Sequence, residues 1–169
     1  MKFTQFNIQI ANFKYSEILK FIENQSFPEG WRETDFSKEL RKKNSIYFIA
    51  YDTTDRIHNI QGYKKATLKN KMVIGYAGIW FHEEFSEIVS VAVLQNFRKL
   101  GVGRLLISKL INYVNFHKKS KIINLEVGKK NFIARNLYKQ LGFKENGYRE
   151  KYYLHDGDDA ILMSLNINF

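Results

Sequence analysis

The sequence of 169 residues contains no cysteine and a single proline, Pro28. Without a thiol, the chain can form no disulfide, bind no zinc through cysteine and use no cysteine nucleophile. No apolar run approaches the ~18–20 residues that a membrane-spanning helix needs. The first residues, MKFTQFNIQIANF, lack the continuous apolar core and the small-residue cleavage site of a signal peptide. We therefore expect a cytoplasmic protein without a membrane partner.

Acidic residues are too few to balance the basic ones: 17 Asp and Glu stand against 27 Lys and Arg, which gives a net charge of +10. A charge of this sign suits a polyanionic partner, such as nucleic acid, an anionic surface or a phosphorylated cofactor. A nucleic-acid site usually concentrates its charge on one element, whereas the basic pairs of this chain are scattered. They are Lys42-Lys43, Lys64-Lys65, Lys118-Lys119 and Lys129-Lys130. We expect an ordinary lysine-rich surface and no nucleic-acid partner.

Apolar periodicity alternates between that of strands and that of helices along the chain. The predicted strands, rich in β-branched and aromatic residues, are 3–10, 45–52, 72–81, 86–94, 121–127, and two near 147–154 and 159–167. The predicted helices begin at Ser16, near Trp31, after Gly103 and at Asn131. Ser16 and Asn131 are the expected caps, and Gly142 is expected to end the last helix. The polar, basic segment 53–71 is typical of a long hairpin connection.

The order of these elements restricts the topology. Strands 72–81 and 86–94 are joined by a link too short for a crossover, so we expect them to pair antiparallel. Strands 86–94 and 121–127 are joined through a helix in a right-handed crossover, so we expect them to be parallel. The sequence therefore predicts a single α/β (α+β) domain over residues 1–169.

Two glycines stand where a predicted strand gives way to a helix, in the segment VAVLQNFRKLGVGRLL of residues 91–106. A Walker loop is excluded because Gly103 is followed by Arg104 rather than by lysine. A dinucleotide-binding fingerprint is excluded because Leu106 stands where a third glycine is required. What remains is the form Arg/Gln-x-x-Gly-x-Gly/Ala, in which successive backbone N–H groups and a helix N-terminus face a pyrophosphate.

This loop, from Arg98 to Gly103, resembles that of the GCN5-related N-acetyltransferases (GNAT), which bind acetyl-coenzyme A (acetyl-CoA) there. Residues 125–165, LEVGKKNFIARNLYKQLGFKENGYREKYYLHDGDDAILMSL, resemble the ribosomal-protein alanine N-acetyltransferases, the RimI-like branch of that family. The resemblance implies a mixed central β-sheet flanked by helices on both faces. The residues that it implies for acetyl-CoA binding are Val91, Ala92, Val93, Arg98, Lys99, Leu100, Gly101, Val102, Gly103, Arg104, Asn131 and Tyr138.

Acetyl transfer to an amine needs a base, an acid for the departing thiolate, and donors for the carbonyl oxygen. Glu126, near the end of strand 121–127, is the candidate base; a solvent-facing or ion-paired carboxylate is the alternative. Tyr138 lies two helical turns after Asn131 and matches the tyrosine proposed as the acid in the family; a core aromatic is the alternative. The family's donors to the oxyanion are backbone groups, near Ala92 and Val93 in this chain.

The acceptor that the resemblance implies is the N-terminal α-amine of a protein, most of all a ribosomal protein, which attacks acetyl-CoA directly in a ternary complex. Trp31, Tyr152 and Tyr153 are expected to line its groove, although aromatic residues as often serve in packing. The alternatives are an acetyltransferase of small amines such as polyamines or aminoglycosides, a protein that binds acetyl-CoA without turnover, and an RNA-binding protein. The four histidines show neither metal nor triad spacing, so we expect no metal.

Overall fold

In a computed structural model of the protein, residues 6–29, 31, 33–52, 64–68, 71–117 and 119–168 are described. Their strands are β1 (Asn7–Ile10), β2 (Ser45–Asp52), β3 (Thr67–Leu68), β4 (Lys71–Phe81), β5 (Ser86–Val93), β6 (Ile122–Gly128), β7 (Lys144–Tyr153) and β8 (Asp158–Asn166). Their α-helices are α1 (Ser16–Ser26), α2 (Phe36–Glu39), α3 (Val102–His117) and α4 (Phe132–Gln140). Most of the predicted hairpin connection, residues 53–63, 69 and 70, lies outside the described residues, as does Phe3 of the opening strand.

The strands of the described residues form one eight-stranded sheet in the order β1-β2-β4-β5-β6-β8-β7, with β3 paired to β4 off this path. β4 and β5 are antiparallel, and β5 and β6 are parallel, as the lengths of their connections predict. The other neighbouring strands pair antiparallel. The sheet is therefore mixed, and the predicted fold class is confirmed.

Helices cover both faces of the sheet at its centre. Residues 72–79 of β4 are all buried, and since successive side chains of a strand point to opposite faces, both faces must be covered. α1 and α3 each pack against β4 and β5. The buried positions of α3 follow the apolar stripe that the sequence predicts, at Val102, Leu106, Ile107, Leu110 and Val114. Truncation of such a side chain, as in Leu110→Ala, would cost about 2–5 kcal/mol of folding free energy.

The ends of α4 agree with the sequence prediction. The Asn131 side chain accepts a hydrogen bond from the Ala134 N–H at 3.2 Å, which satisfies one of the free donors in the first turn. Gly142 adopts a φ of +95° directly after the helix, a conformation that glycine enters without a Cβ penalty. α4 therefore begins and ends where the expected cap and stop residues lie.

The prediction that Ser16 caps α1 is wrong. The chain enters α1 directly from a 3-10 helix at Phe13–Tyr15, so Ser16 is already helical. Asn12 caps that 3-10 helix instead, by accepting a hydrogen bond from the Lys14 N–H at 3.0 Å. The second predicted helix is also shorter than expected: α2 has four residues, and Trp31 precedes it.

Candidate active site

The candidate site lies where β5 and β6 stop pairing. Ile88 and Leu125 form the last residue pair between these two parallel strands. The register between β4 and β5 shifts at the same level, because Ile88 pairs with Ile79 and Ser90 with Gly78, which leaves Val89 without a partner on β4. A bulge of this kind bends the strand that carries the extra residue. β5 thus turns away from β6, and a gap opens at the carboxyl ends of both strands.

Two backbone amides of β5 face this gap. The Leu94 N–H donates to the Ile74 carbonyl oxygen of β4 at 2.9 Å, and the peptide groups of a strand alternate in direction. The N–H groups of Val91 and Val93 must therefore point away from β4, toward the gap. The amide of Ala92 points to β4, so of the backbone groups near Ala92 and Val93, those whose N–H faces the gap belong to Val91 and Val93.

Arg98 fixes the glycine loop to two other parts of the site. Its Nε donates to the Val93 carbonyl oxygen at 3.0 Å, and its Nη2 donates to the Ser26 carbonyl oxygen at the end of α1 at 3.3 Å. Lys99 and Gly101 both adopt positive φ angles, +62° and +84°, which turn the chain sharply between β5 and α3. The side chains of Lys99 and Leu100 are exposed on the outside of this turn.

The N-terminus of α3 supplies free donors beside this turn. The Leu105 N–H makes the first helical bond, to the Gly101 carbonyl oxygen at 3.0 Å. The N–H groups of Val102, Gly103 and Arg104 come before it and have no partner within the helix. Together with the helix dipole they form a site suited to a phosphate group. The side chain of Val102 is buried and anchors this end of α3 in the core, and Arg104 is exposed.

The space around the two glycines fits a ligand that approaches the backbone closely. A Cβ on Gly101 would meet no atom of the protein within 4 Å, so this side of the loop faces open space. A Cβ on Gly103 would lie 3.4 Å from the Leu137 Cδ2 of α4, an ordinary contact. Packing within the protein therefore does not require glycine at position 103, whereas a pyrophosphate against the backbone would favour a small residue there.

Tyr138 on α4 is 7% exposed, and its ring packs against Phe143 with the centroids 5.7 Å apart. Burial raises the pKa of its phenol to about 12, further above neutral pH than the ordinary value of ~10, and the group is protonated. No described residue hydrogen-bonds to the hydroxyl, which is free to donate. Tyr138 is thus a packing residue and an available proton donor at the same time. Asn131, in contrast, has its side-chain oxygen engaged in capping α4.

Glu126 lies on the β6 side of the gap, one residue beyond the last pair with β5. Its Oε1 is 3.1 Å from the Nη1 of Arg149 on β7. The phenol of Tyr152 lies beside the same carboxylate, and the nearby Glu126 is the main cause of its raised pKa. An ion-paired carboxylate is the alternative to a catalytic base for Glu126. The ion pair is present, and it lies at the edge of the gap. Arg149 was not singled out from the sequence.

The three aromatic residues expected to form a groove lie together. Trp31 stacks on Tyr153, with centroids 5.5 Å apart, and on Phe27 of the segment after α1, with centroids 4.4 Å apart. Tyr152 meets Tyr153 edge to face at 5.2 Å. Phe27 was not expected in this group. These rings connect the segment after α1 with the end of β7, next to the gap.

Tyr153 connects this aromatic group with the two candidate catalytic residues. Its pKa is raised, first by burial and then by the negative charge of Glu126, with smaller contributions from Tyr152 and Tyr138. Glu126 and Tyr138 therefore both lie within electrostatic range of one side chain. The structure thus combines a carboxylate, a protonated phenol and two backbone donors, the groups that acyl transfer to a nucleophile requires, with a loop suited to a phosphate group.

Comparison with known proteins agrees with this arrangement. A family model described as the acetyltransferase (GNAT) family matches residues 16–143 of the chain. A ribosomal protein bS18-alanine N-acetyltransferase of Haemophilus influenzae is 34% identical over 125 residues, which are 70% of this chain and 82% of that protein. An N-alpha-acetyltransferase of Saccharolobus solfataricus is 35% identical over 151 residues, which are 88% of this chain and 84% of that protein.

The fold also recurs in a solved structure. The crystal structure of Arabidopsis thaliana NAA60 in complex with acetyl-CoA superposes with a TM-score of 0.80, covering 98% of this chain and 100% of that one. Its sequence identity is 18%, so this likeness concerns the fold. Within the part of the chain that is described, no helix is long and apolar enough to cross a membrane.

Proposed function

The chain belongs to the GNAT family of acetyltransferases and is an acetyl-CoA-dependent N-acetyltransferase, and we propose that its acceptor is the N-terminal α-amine of a protein. The observation that carries the proposal is the gap beyond Ile88 and Leu125, with backbone donors on its β5 side and Glu126 on its β6 side. The name of one relative specifies a ribosomal protein, and we extend the proposal to a ribosomal protein as the partner.

The residues of the loop and gap fit acetyl-CoA. The amides of Val102, Gly103 and Arg104 would bind the pyrophosphate at the N-terminus of α3. The amides of Val91 and Val93 would bind the part of the molecule that enters the gap, and one of them would donate to the acetyl carbonyl oxygen as negative charge develops there. Bound acetyl-CoA supplies an acetyl group activated as a thioester.

We assign the base to Glu126, directly or through a water molecule. An α-amine has a reference pKa of ~7.7–8.0 and is partly neutral near pH 7, whereas a lysine amine at ~10.4 is mostly charged. A carboxylate is a weak base, so it suits an amine that has little charge to lose. This difference in chemistry supports an N-terminal amine rather than a lysine as the acceptor.

We assign the acid to Tyr138. Its phenol is protonated at neutral pH, as an ordinary tyrosine with a pKa of ~10 is, and burial raises its pKa further, to about 12. Its hydroxyl has no partner among the described residues. The proton needed by the departing thiolate is therefore present when the reaction ends. Tyr138 belongs to α4 and Glu126 to β6, so base and acid come from separate elements, and both contribute to the raised pKa of Tyr153.

Trp31, Tyr152 and Tyr153 would line the path of the acceptor peptide. Trp31 belongs to the segment between α1 and α2, and this segment is held in place by the buried Glu23, which accepts a hydrogen bond from the Thr34 N–H at 3.0 Å. An anchored segment keeps the aromatic rings stacked before the peptide arrives. A polycationic small amine is a poorer candidate, since a chain with a net charge of +10 repels it.

A screen of acceptors with acetyl-CoA, read by the release of the free thiol, tests the proposal. The panel contains peptides with free N-termini that match those of ribosomal proteins, the same peptides with blocked N-termini, and polyamines and aminoglycosides. We expect turnover with the free peptides and none with the blocked ones. Turnover confined to the small amines would replace the proposed acceptor, and heat stabilisation by acetyl-CoA without thiol release from any acceptor would indicate a binding protein.

A further inference from the structure

We propose that Arg149 is a positioning residue for the reaction, which holds the carboxylate of Glu126 where the acceptor amine arrives; this inference rests on the proposed role of Glu126 as the base. The Nη1 of Arg149 lies 3.1 Å from the Oε1 of Glu126. The Glu126 side chain is 19% exposed and that of Arg149 is 56% exposed, so the arginine approaches from the solvent side. A carboxylate paired in this way keeps one orientation at the edge of the gap.

The strand order makes this contact unusual. β8 lies between β6 and β7, and Glu126 pairs with Leu162 of β8 rather than with any residue of β7. Neighbouring strands are ~4.8 Å apart, so Arg149 spans two such spacings to reach the carboxylate. Arginine is long enough to do this, and its rigid fork of donors suits a carboxylate better than a lysine would.

Tyr152 completes the contact. Its phenol lies close enough to Glu126 for the carboxylate to raise its pKa, and the guanidinium of Arg149 lies over its ring at 5.4 Å from the centroid. The three side chains therefore form one cluster, in which Arg149 contacts both the carboxylate and the ring. The contact with the Tyr152 ring restrains the guanidinium, so this ion pair is more ordered than a single exposed pair, which would contribute little.

The backbone of β7 is irregular between Arg149 and Tyr152, where it brings both side chains to Glu126. The side chains of residues three apart on a regular strand point to opposite faces of the sheet. Arg149 and Tyr152 could therefore not both lie beside Glu126 if β7 were regular. The pairing of β7 with β8 shifts between Arg149 and Tyr153, and Lys151 adopts a φ of +47°. The Lys151 N–H donates to the Oδ1 of Asp159 at 3.0 Å, which holds this conformation.

A lysine with a positive φ carries strain that the rest of the structure must offset, and such strain is concentrated at functional sites. In this chain the strained turn has a visible result, since it brings Arg149 and Tyr152 to the same face of the sheet. The irregularity of β7 and the ion pair across β8 are two independent observations that point to one role. Arg149 acts through Glu126 and does not itself move a proton.

A double-mutant cycle tests this role. Arg149→Gln and Arg149→Lys are each made in the wild-type chain and in the Glu126→Gln variant, and kcat and KM are measured with acetyl-CoA and an acceptor peptide. Arg135→Gln is the matched control, because Arg135 also pairs with a carboxylate of β7, Glu145, at 2.7 Å. Thermal unfolding of every variant shows whether the fold is retained.

We expect Arg149→Gln to lower kcat on the order of tenfold to a hundredfold, with the KM for acetyl-CoA unchanged, because misplacement of a reacting group by about 1 Å has effects of this size. Arg149→Lys should recover part of the loss, and Arg135→Gln should retain full activity. In the Glu126→Gln background, the loss of Arg149 should have little further effect.

Two other outcomes separate this inference from the proposed function. If Glu126→Gln lowers kcat but Arg149→Gln lowers it by the same factor in both backgrounds, Arg149 does not act through Glu126 and the inference is overturned. If Glu126→Gln leaves kcat unchanged, Glu126 is not the base, and both the proposed role of Glu126 and that of Arg149 fail.

Discussion

Arg98 donates from its Nε to the carbonyl oxygen of Val93 at 3.0 Å, and this bond ties the glycine loop to the strand end whose amides face the gap. The same guanidinium reaches the Ser26 carbonyl oxygen at 3.3 Å. One side chain thus links the proposed pyrophosphate site, the proposed acetyl site and the end of the helix before Trp31. Its contacts are with the backbone of the protein, so we infer that it shapes the cofactor site as well as adding charge to it.

Arg98→Met should weaken acetyl-CoA binding by roughly tenfold, because a substitution that leaves two carbonyl oxygens without their donor loosens the loop, and hydrogen bonds contribute ~0.5–1.5 kcal/mol each. Calorimetric titration of the variant with acetyl-CoA measures the change. Arg41→Met is the control, because the Arg41 guanidinium lies over the Phe13 ring, at 4.0 Å from its centroid, and has no hydrogen bond or ion pair with the described residues of the loop. Equal affinities of Arg98→Met and the parent would show that these bonds do not shape the site.

Gly103→Glu should abolish acetyl-CoA binding and leave the fold intact. A carboxylate in the first turn of α3 interacts favourably with the helix dipole, by ~0.3–1 kcal/mol, yet it repels a pyrophosphate at the same place. The free energy of unfolding of the ligand-free variant should therefore equal or exceed that of the parent, while its affinity for acetyl-CoA falls. Gly103→Ala is the matched variant: its Cβ would lie 3.4 Å from Leu137, so it should fold and bind. If Gly103→Glu binds acetyl-CoA with the affinity of the parent, the phosphate site does not lie at Gly103.

Tyr138→Phe should reduce turnover by roughly 10²–10⁴, the usual contribution of a positioned acid or base. The fold should tolerate the change, because the hydroxyl has no partner among the described residues and the ring packing against Phe143 remains. Acetyl-CoA affinity should be unaffected. Steady-state kinetics and a binding titration separate the effect on turnover from the effect on affinity. If the variant has the turnover of the parent, Tyr138 serves only in packing.

Stability should decline in alkaline solution partly through Tyr138. Its pKa is about 12 in the folded chain against an ordinary value of ~10, because burial disfavours the phenolate. The folded state therefore retains the proton that the unfolded state loses, so the stabilising effect is complete below pH ~10 and is lost as the pH rises toward 12. Urea unfolding between pH 8 and 11 should show a smaller loss for Tyr138→Phe than for the parent. If both proteins lose the same free energy of unfolding over this pH range, the Tyr138 phenol does not contribute to the alkaline loss of stability.

Local patterns were enough to predict most of the fold. β-branched and aromatic runs marked 45–52 and 72–81 nearly to the residue, and Asn131 and Gly142 marked the ends of α4. Each of these depends on a few consecutive side chains and on backbone preferences that act locally. The cap at Ser16 failed because the preceding 3-10 helix, also a local feature, has no comparable sequence pattern.

The contacts of the candidate site were predictable only in part. The loop and Tyr138 follow from a motif, because their neighbours in sequence are their neighbours in space. The pairing of Glu126 with Arg149 depends on a strand order that places β8 between them and on a strained turn at Lys151. Neither feature is visible as a periodicity. The direction of the Val91 and Val93 amides likewise became known only with the register of β4 against β5.

The central claim, that this acetyltransferase acts on the N-terminal α-amine of a protein, is tested most directly by a competition between two peptides. One has a free N-terminus and no lysine; the other has the same sequence with a blocked N-terminus and one added lysine. Both are offered at equal concentration with acetyl-CoA near pH 7, and the acetylated positions are identified by fragmentation mass spectrometry. We predict that the acetyl group is found on the free α-amine, because that amine is partly neutral at this pH and the lysine is not. Faster acetylation of the lysine in the blocked peptide would contradict the claim.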